Sequence, residues 1–394
     1  MIPFAVGNVP KTMRAAVIRR ERYGPPRDAF RIEEVPVPEV GRRQVLVAVM
    51  AAGINYNGVW AASGVPVDLI AVRQRRGFRE AYHIAGSDAS GVVWAIGADV
   101  EHVRVGDAVV LSCGQYPSTE QPIGQPLSTA GTEIWGYETN YGAFAEFTLV
   151  YEYQCHPKPA TLSWEEAACF MLTGATAYHQ LRGWPPHVVE RGDAALIWGG
   201  AGGLGTAAIQ IVRYFGGVPI AVTSGGERAE YCRRLGAVVI DRSAFSHWGR
   251  LPATPDASSW EEWLLEARRF GAAIWDALGE RRSPRIVVEH PGGDTLPTSL
   301  YVCESDGMVV TCGATTGYLV GVDLRFLWMR QKRLQGSHFA TLAQCDALLE
   351  LVCAGAVRPC LSKVFDFEDV GEAHQLMFEN RHPPGNMAVR IGAA

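Results

Sequence analysis

The chain has 394 residues, 48% of them hydrophobic and 20% charged, a globular composition long enough for two domains. Its 36 basic and 41 acidic side chains leave a net charge of −5, which argues against nucleic acid as a partner because phosphate binding needs a basic face. No apolar run reaches the ~18–20 residues of a membrane span, the N-terminus lacks a signal-peptide pattern, and nine scattered cysteines with no Cys-x-x-Cys pair point to free thiols in a reducing cytoplasm.

The first 150 residues read as β-rich. Apolar runs at Gln44–Ala52, Gly91–Ile96 and Asp107–Ser112 are set apart by Gly, Pro and Asp turns. The polar stretch Gly114–Glu133 predicts a long loop, and a loop of that length inside a domain is usually functional. Ser163 predicts an N-cap, with Glu165 and Glu166 in the first turn and an apolar helix face from Ala167 to Tyr178. From Asp193 the pattern alternates: strand Ala194–Gly199, helix Thr206–Phe215, strand Val218–Thr223, helix Glu227–Leu235, strand Ala237–Arg242. This rhythm predicts an α/β domain with a doubly wound parallel sheet. Trp248, Trp260 and Trp263, amid charges in 241–279, predict a helical insert packed on that sheet. Arg285–Glu289 and Met308–Cys312 continue the sheet. A helix near Leu342–Cys353 and a strand at Met387–Ile391 return to the first domain. The expected organisation is a discontinuous domain, 1–160 and 341–394, around a nucleotide-binding domain, 161–340.

The sharpest local signal is Gly-x-Gly-x-x-Gly at Gly200, Gly202 and Gly205, between an apolar strand and a helix. Gly200 is expected to make the tight turn, Gly202 to let backbone approach a pyrophosphate, and Gly205 to permit close helix–strand packing. Gly203 and Leu204 open the helix, whose N–H groups and positive dipole end suit phosphates. An NAD site would carry Asp or Glu after the second strand. Here Ser224 stands there and Arg228 follows, which favours NADPH. Glu227, which would instead suit a ribose hydroxyl, is the opposing signal.

A β-rich domain, a dinucleotide domain and a return resemble the medium-chain dehydrogenase/reductase superfamily. Its zinc alcohol dehydrogenases carry Gly-His-Glu where this chain reads Gly86-Ser87-Asp88, and no close cysteine quartet is present, so no metal is expected. Asn55-Tyr56-Asn57, His83–Gly91, Ile134–Asn140, Trp164–Ala168, Glu289–Gly292 and Trp328–Phe339 resemble the crotonyl-CoA carboxylase/reductases. That resemblance implies a GroES-like β-rich catalytic domain with a Rossmann domain. It implies NADPH-dependent reduction of an enoyl-CoA with capture of CO2, giving an alkylmalonyl-CoA of the kind used as a polyketide extender unit. It implies a CO2 pocket of Asn57, Tyr137, Glu138 and His338, with His338 read as starting a helix after Gly336-Ser337. Thr176 is expected to orient the cofactor, and Arg325 and Arg330, in a basic cluster with Lys332 and Arg333, to meet CoA phosphates. A homodimer or homotetramer follows from the resemblance alone. Small residues in Gly58–Gly64 and at Gly142-Ala143 suggest room for a long acyl tail. Two other readings stand beside this one: an enoyl-CoA or quinone reductase without carboxylation, and a non-enzymatic NADPH-binding protein.

Overall fold

The computed structural model describes residues 6–116, 131–252 and 258–392. It divides into two compact units, one of Met1–Leu172, Thr341–Cys353 and Pro359–Ala394, the other of Thr173–Ala340 and Ala354–Arg358.

The first unit carries β1 (Thr12–Ile18), β2 (Arg31–Pro36), β3 (Gln44–Ile54), β4 (His83–Ile84), β5 (Ala89–Ile96), β6 (Ala108–Leu111), β7 (Gly114–Gln115), β8 (Glu133–Ile134), β9 (Phe147–Tyr151) and β10 (Cys155–Pro157). On the chain's return it gains β17 (Leu361–Asp366) and β18 (Asn386–Arg390). β3 is its hub, pairing antiparallel with β5, β9 and β18. Its sequence QVLVAVMAAGI is almost continuously apolar because nearly every residue of it is buried. Met13, Val17, Leu46, Trp94 and Phe147 form a core between strands. The short ladder β7–β8 closes the ends of the polar stretch Gly114–Glu133; the interior of that expected loop, 117–130, lies outside the described residues.

Ser163 forms a capping box with Glu166. The helix it starts ends at Ala167, however, and a second begins at Met171, so the apolar face read from Ala167 to Tyr178 is two helices with a turn between them. Within the turn Cys169 packs in the core, its Sγ 3.5 Å from the Met387 carbonyl. Helix Trp164–Ala167 packs on β3 and β5, which carries the first unit past the 160/161 boundary read from the sequence.

The second unit is an all-parallel six-stranded sheet. In chain order its strands are β11 (Ala194–Trp198), β12 (Val218–Thr223), β13 (Val238–Asp241), β14 (Ile286–Glu289), β15 (Met308–Thr311) and β16 (Arg333–Gly336). Their spatial order, β13-β12-β11-β14-β15-β16, reverses between β11 and β14. Ligands of open α/β sheets bind at that switch point, beyond the carboxyl ends of the strands. The helix Ser258–Leu278 buries Trp260, Trp263, Phe270 and Ile274, and Trp198 stacks on Phe270 with ring centroids 5.5 Å apart. No helix among the described residues is long and apolar enough to cross a membrane.

Candidate active site

In the second unit the chain leaves β11 at Trp198 and turns through Gly199, whose φ of +58° is a left-handed conformation. The tight turn therefore belongs to Gly199 and not to Gly200. Gly200 answers a packing demand instead, since a Cβ there would lie 2.6 Å from the Cβ of Ala221. Gly205 does likewise, its Cβ falling 2.6 Å from the Gly200 Cα. Gly202 differs: a Cβ would meet only the Gly199 carbonyl, at an ordinary 3.5 Å. No packing in the second unit demands a glycine there, so the bare backbone suits a group approaching from outside. Gly202 is the N-cap of helix Gly203–Tyr214, which begins three residues before the expected Thr206 and brings the N–H groups of Gly203 and Leu204 to that end.

A buried network braces this turn. Glu289, at the end of β14, accepts from the Gly292 N–H at 3.0 Å, the Thr295 hydroxyl at 2.6 Å and the Ser299 hydroxyl at 2.5 Å. Ser299 Oγ in turn accepts from the Trp198 indole at 2.7 Å. Burial raises the Glu289 pKa against these hydrogen bonds. In the sequence Glu289-His290 stands out only as part of the family likeness; the signal that marks the network is a strand-end carboxylate with hydroxyls six and ten residues on.

At the end of β12 Ser224 is exposed, and Gly225, with φ +78°, caps helix Gly226–Arg234. Arg228 is half-buried on that helix, and burial lowers its pKa. Thr176 is buried in helix Met171–Arg182. Thr173, one turn earlier, has a buried hydroxyl with no hydrogen-bond partner, although helix threonines commonly bond back to a carbonyl. It is a second cofactor-facing candidate that the sequence did not separate from Thr176.

The basic cluster is mostly engaged. Asp323 holds Arg325 bidentately, with Nη2 2.7 Å from one carboxylate oxygen. Lys332 Nζ donates to the Leu300 carbonyl at 2.6 Å and Arg333 to Gln335. Arg330 is exposed. His338 is also exposed and follows the edge strand β16, with no helix until Leu342. The expected helix start at Gly336-Ser337 is instead the end of a strand.

In the first unit three site residues gather around one short segment, Gly86-Ser87-Asp88. Asn57 lies in the first turn of helix Tyr56–Ser63, and its Nδ2 is 3.5 Å from Ser87 Oγ. The turn Ile134–Glu138 is stitched to Gly86, whose N–H donates to the Gly136 carbonyl at 3.0 Å. Glu138 closes the same turn, accepting from the Ile134 N–H at 2.8 Å. Trp60, one turn beyond Asn57, stands between the rings of Tyr56, at 5.3 Å, and Tyr137, at 6.0 Å. Burial first, then the Glu138 charge, pushes the Tyr137 phenol up to about 12. A hydrogen-bond donor thus sits beside an aromatic wall.

The glycines read as acyl room are packed. A Cβ on Gly58 would overlap the His374 ring, one on Gly64 would overlap Tyr23, and one on Gly142 would meet the Ala85 carbonyl at 2.5 Å. These glycines serve close approach within the first unit, so their missing side chains do not themselves open acyl room.

The chain matches the alcohol dehydrogenase GroES-like domain over residues 41–160 and the zinc-binding dehydrogenase domain over 203–354. With the two folds described above, these matches define a member of the medium-chain dehydrogenase/reductase superfamily. Crotonyl-CoA carboxylase/reductase of Cereibacter sphaeroides is 47% identical, across 98% of this chain and 90% of that protein. The structure of crotonyl-CoA carboxylase/reductase AntE in complex with NADP superposes with a TM-score of 0.94 at 56% identity, covering 99% of this chain and 97% of that one. The 2-octenoyl-CoA carboxylase reductase CinF, in complex with NADP and 2-octenoyl-CoA, gives a TM-score of 0.88 at 34% identity, over 98% of this chain and 89% of that one. The chain belongs to the crotonyl-CoA carboxylase/reductase family.

Proposed function

We propose that this protein is an NADPH-dependent enoyl-CoA carboxylase/reductase that converts an α,β-unsaturated acyl-CoA and CO2 to an alkylmalonyl-CoA. The observation that carries the reading is the grouping of Asn57, Tyr137 and Glu138 about Gly86–Asp88, where zinc dehydrogenases carry metal-binding residues.

The Gly-rich turn fits a dinucleotide, because Gly202 alone among its three motif glycines has no packing neighbour that excludes a side chain. Gly202, Gly203 and Leu204 would hold the pyrophosphate, Ser224 and Arg228 the 2′-phosphate, and Thr176 the nicotinamide side. When bound, NADPH supplies a hydride to Cβ of the enoyl thioester, and the electron pair released spreads over Cα and the thioester oxygen.

The chain's own residues then decide whether Cα meets CO2 or a proton. Asn57 donates its amide N–H to a CO2 oxygen, a contact that orients an uncharged linear molecule. Tyr137 presents its ring as a wall against water, and its raised pKa makes it a weaker proton donor than a free phenol. Glu138 and His338 hold one ordered water that completes the grip on CO2. Arg330, with Arg325 if Asp323 exchanges its partner, would serve the CoA phosphates. A homodimer or homotetramer fits the exposed Trp328, Met329 and Leu334 beside the unpaired edge of β16. Nine free cysteines suit the cytoplasm.

Incubation with NADPH and 2-butenoyl- or 2-octenoyl-CoA, with and without bicarbonate and carbonic anhydrase, tests the reading by mass spectrometry of the product. Alkylmalonyl-CoA formed only when CO2 is supplied supports it. Saturated acyl-CoA as sole product at high CO2 assigns a plain reductase, and no NADPH oxidation with any enoyl-CoA assigns a binding protein.

A further inference from the structure

Glu289 is the last residue of β14 and is fully buried. Burying a carboxylate is costly unless donors meet it, and an apolar residue of similar size would spare the cost. The three donors that meet this one all lie just beyond it in the chain, the last of them Ser299 on helix Leu296–Val302. Through Ser299 the carboxylate reaches the Trp198 indole on the neighbouring strand β11. His290, the next residue, has its Nε2 3.2 Å from the Trp198 carbonyl. A carbonyl can only accept, so Nε2 carries the hydrogen. Trp198 is therefore held by side chain and by main chain from two consecutive residues.

Trp198 is the stem of the Gly-rich turn. Its carbonyl belongs to the peptide that enters Gly199, where the chain turns left-handed, and a Cβ on Gly199 would lie 2.6 Å from His290 Nε2. The Gly199 carbonyl in turn accepts from the Gly202 N–H at 2.9 Å. Glu289 has a second attachment, through its own main chain. Gln180 is fully buried, and its Nε2 donates to the Glu289 carbonyl at 3.3 Å and to the Val310 carbonyl at 3.0 Å. Thr173, Thr176 and Gln180 stand at i, i+3 and i+7 on helix Met171–Arg182 and share one face. The helix face read as meeting nicotinamide and the turn read as meeting pyrophosphate are both tied to the residue that ends β14.

We propose that Glu289 is a positioning residue that sets the spacing between the pyrophosphate turn, through Ser299 and Trp198, and the Thr173–Thr176 helix face, through Gln180. The role rests on the placement of NADPH proposed above. Glu289 touches neither cofactor nor substrate. It holds the two surfaces between which the cofactor is stretched, so that a dinucleotide gripped at its phosphates presents its nicotinamide at a fixed depth.

The test compares NADPH with 2′-phospho-ADP-ribose, which keeps the pyrophosphate and lacks the nicotinamide. Each is titrated against variants of the full-length enzyme, beside single-turnover NADPH oxidation with enoyl-CoA and Tm. Ser299→Ala and Trp198→Phe cut the link to the turn and are expected to weaken both ligands about threefold or more. Because they cut the same link, the double variant should match the more affected single one. Gln180→Met cuts the other link. It should bind 2′-phospho-ADP-ribose as wild type does and slow hydride transfer about fivefold or more. Glu289→Gln keeps an acceptor for Gly292 and Thr295 and should retain more affinity than Glu289→Leu. If Glu289→Leu does not fold, Ser299→Ala and Trp198→Phe give the same reading. A lowered Tm with both affinities and the hydride rate unchanged would make the network structural only and overturn the proposal. So would a Gln180→Met that weakens 2′-phospho-ADP-ribose as much as Ser299→Ala does. Gly202→Val separates the two levels: if it binds NADPH normally, the cofactor placement and this role fall together. If it weakens binding while Ser299→Ala and Trp198→Phe bind normally, this role alone falls.

Discussion

The ring of Trp60 lies 6.0 Å from that of Tyr137 and is tilted 44° to it. Trp60 shares a helix face with Asn57, three residues earlier, so the residue that supports the aromatic wall is built on the same element as the amide donor. Trp60→Ala should lower the carboxylated fraction of product and cost about 2–3 kcal/mol of stability. Tyr137→Phe keeps the wall and discards the hydroxyl, so its product ratio should equal or exceed that of wild type. Loss of carboxylation in Tyr137→Phe would assign the hydroxyl a bonding role and contradict the apolar one. Product mass spectrometry and thermal denaturation read both variants.

Glu138→Ala and His338→Asn address the proposed water. Each should shift product from alkylmalonyl-CoA toward saturated acyl-CoA by roughly tenfold, about 1.4 kcal/mol between competing barriers, while NADPH oxidation continues. A parallel fall of both products would mean that these residues serve folding or hydride transfer. For Glu138 the fold control matters, because its carboxylate accepts from the Ile134 N–H in its own turn.

The three glycines of the dinucleotide turn should separate experimentally. Gly202→Val has room in the fold, so it should keep the wild-type Tm and weaken NADPH binding about tenfold or more by blocking the approach of backbone to pyrophosphate. Gly200→Val and Gly205→Val collide with Ala221 and with Gly200 itself and should lose stability first. Fluorescence titration of NADPH beside a melting curve decides it. A Gly202→Val that binds normally would remove the pyrophosphate from this turn.

Buried histidines, His374 and His290 among them, set an acid limit on stability. Burial pulls His374 and His290 down to about 4, from an ordinary 6.5. A histidine depressed in the fold stays neutral there while the unfolded chain takes up a proton. Its contribution is therefore intact above pH 6.5 and is lost as pH falls through 6.5 toward 4. At pH 5 each should cost about 2 kcal/mol relative to pH 7.5. His374→Gln should be less stable at pH 7.5 and show a shallower fall on acidification. A Tm that is flat between pH 7.5 and 5 would contradict the buried neutral state.

Gly58→Ala should destabilise the protein by driving a methyl group into the His374 ring, and it should leave the relative rates with C4, C6 and C8 enoyl-CoAs alike. A changed chain-length preference at unchanged Tm would restore Gly58 to the acyl site.

The parallel sheet and its glycine turn are legible in the sequence because strand, turn and helix are contiguous, and the hydrophobic pattern changes period as the chain passes between them. β16 is not, since RLQG is polar, as an edge strand is, and so His338 reads as a helix start when it follows a strand. The break between Ala167 and Met171 is hidden because both helices and the turn are apolar, and only burial of Cys169 against Met387, more than two hundred residues on, requires it. Gly58 and Gly64 read as open space because a missing side chain looks the same in sequence whether a ligand or another residue fills the gap. Asp88 is likewise silent: its burial depends on β3 and β5 pairing, which no local pattern records.

The most direct measurement follows the fate of Cα. Enoyl-CoA, NADPH and 13C-bicarbonate in D2O give two distinguishable outcomes in one mass spectrum. A product with a new 13C carboxyl group at Cα is expected. A product bearing solvent deuterium at Cα and no added carbon would show that the enolate meets water first, and the proposed carboxylation would be wrong.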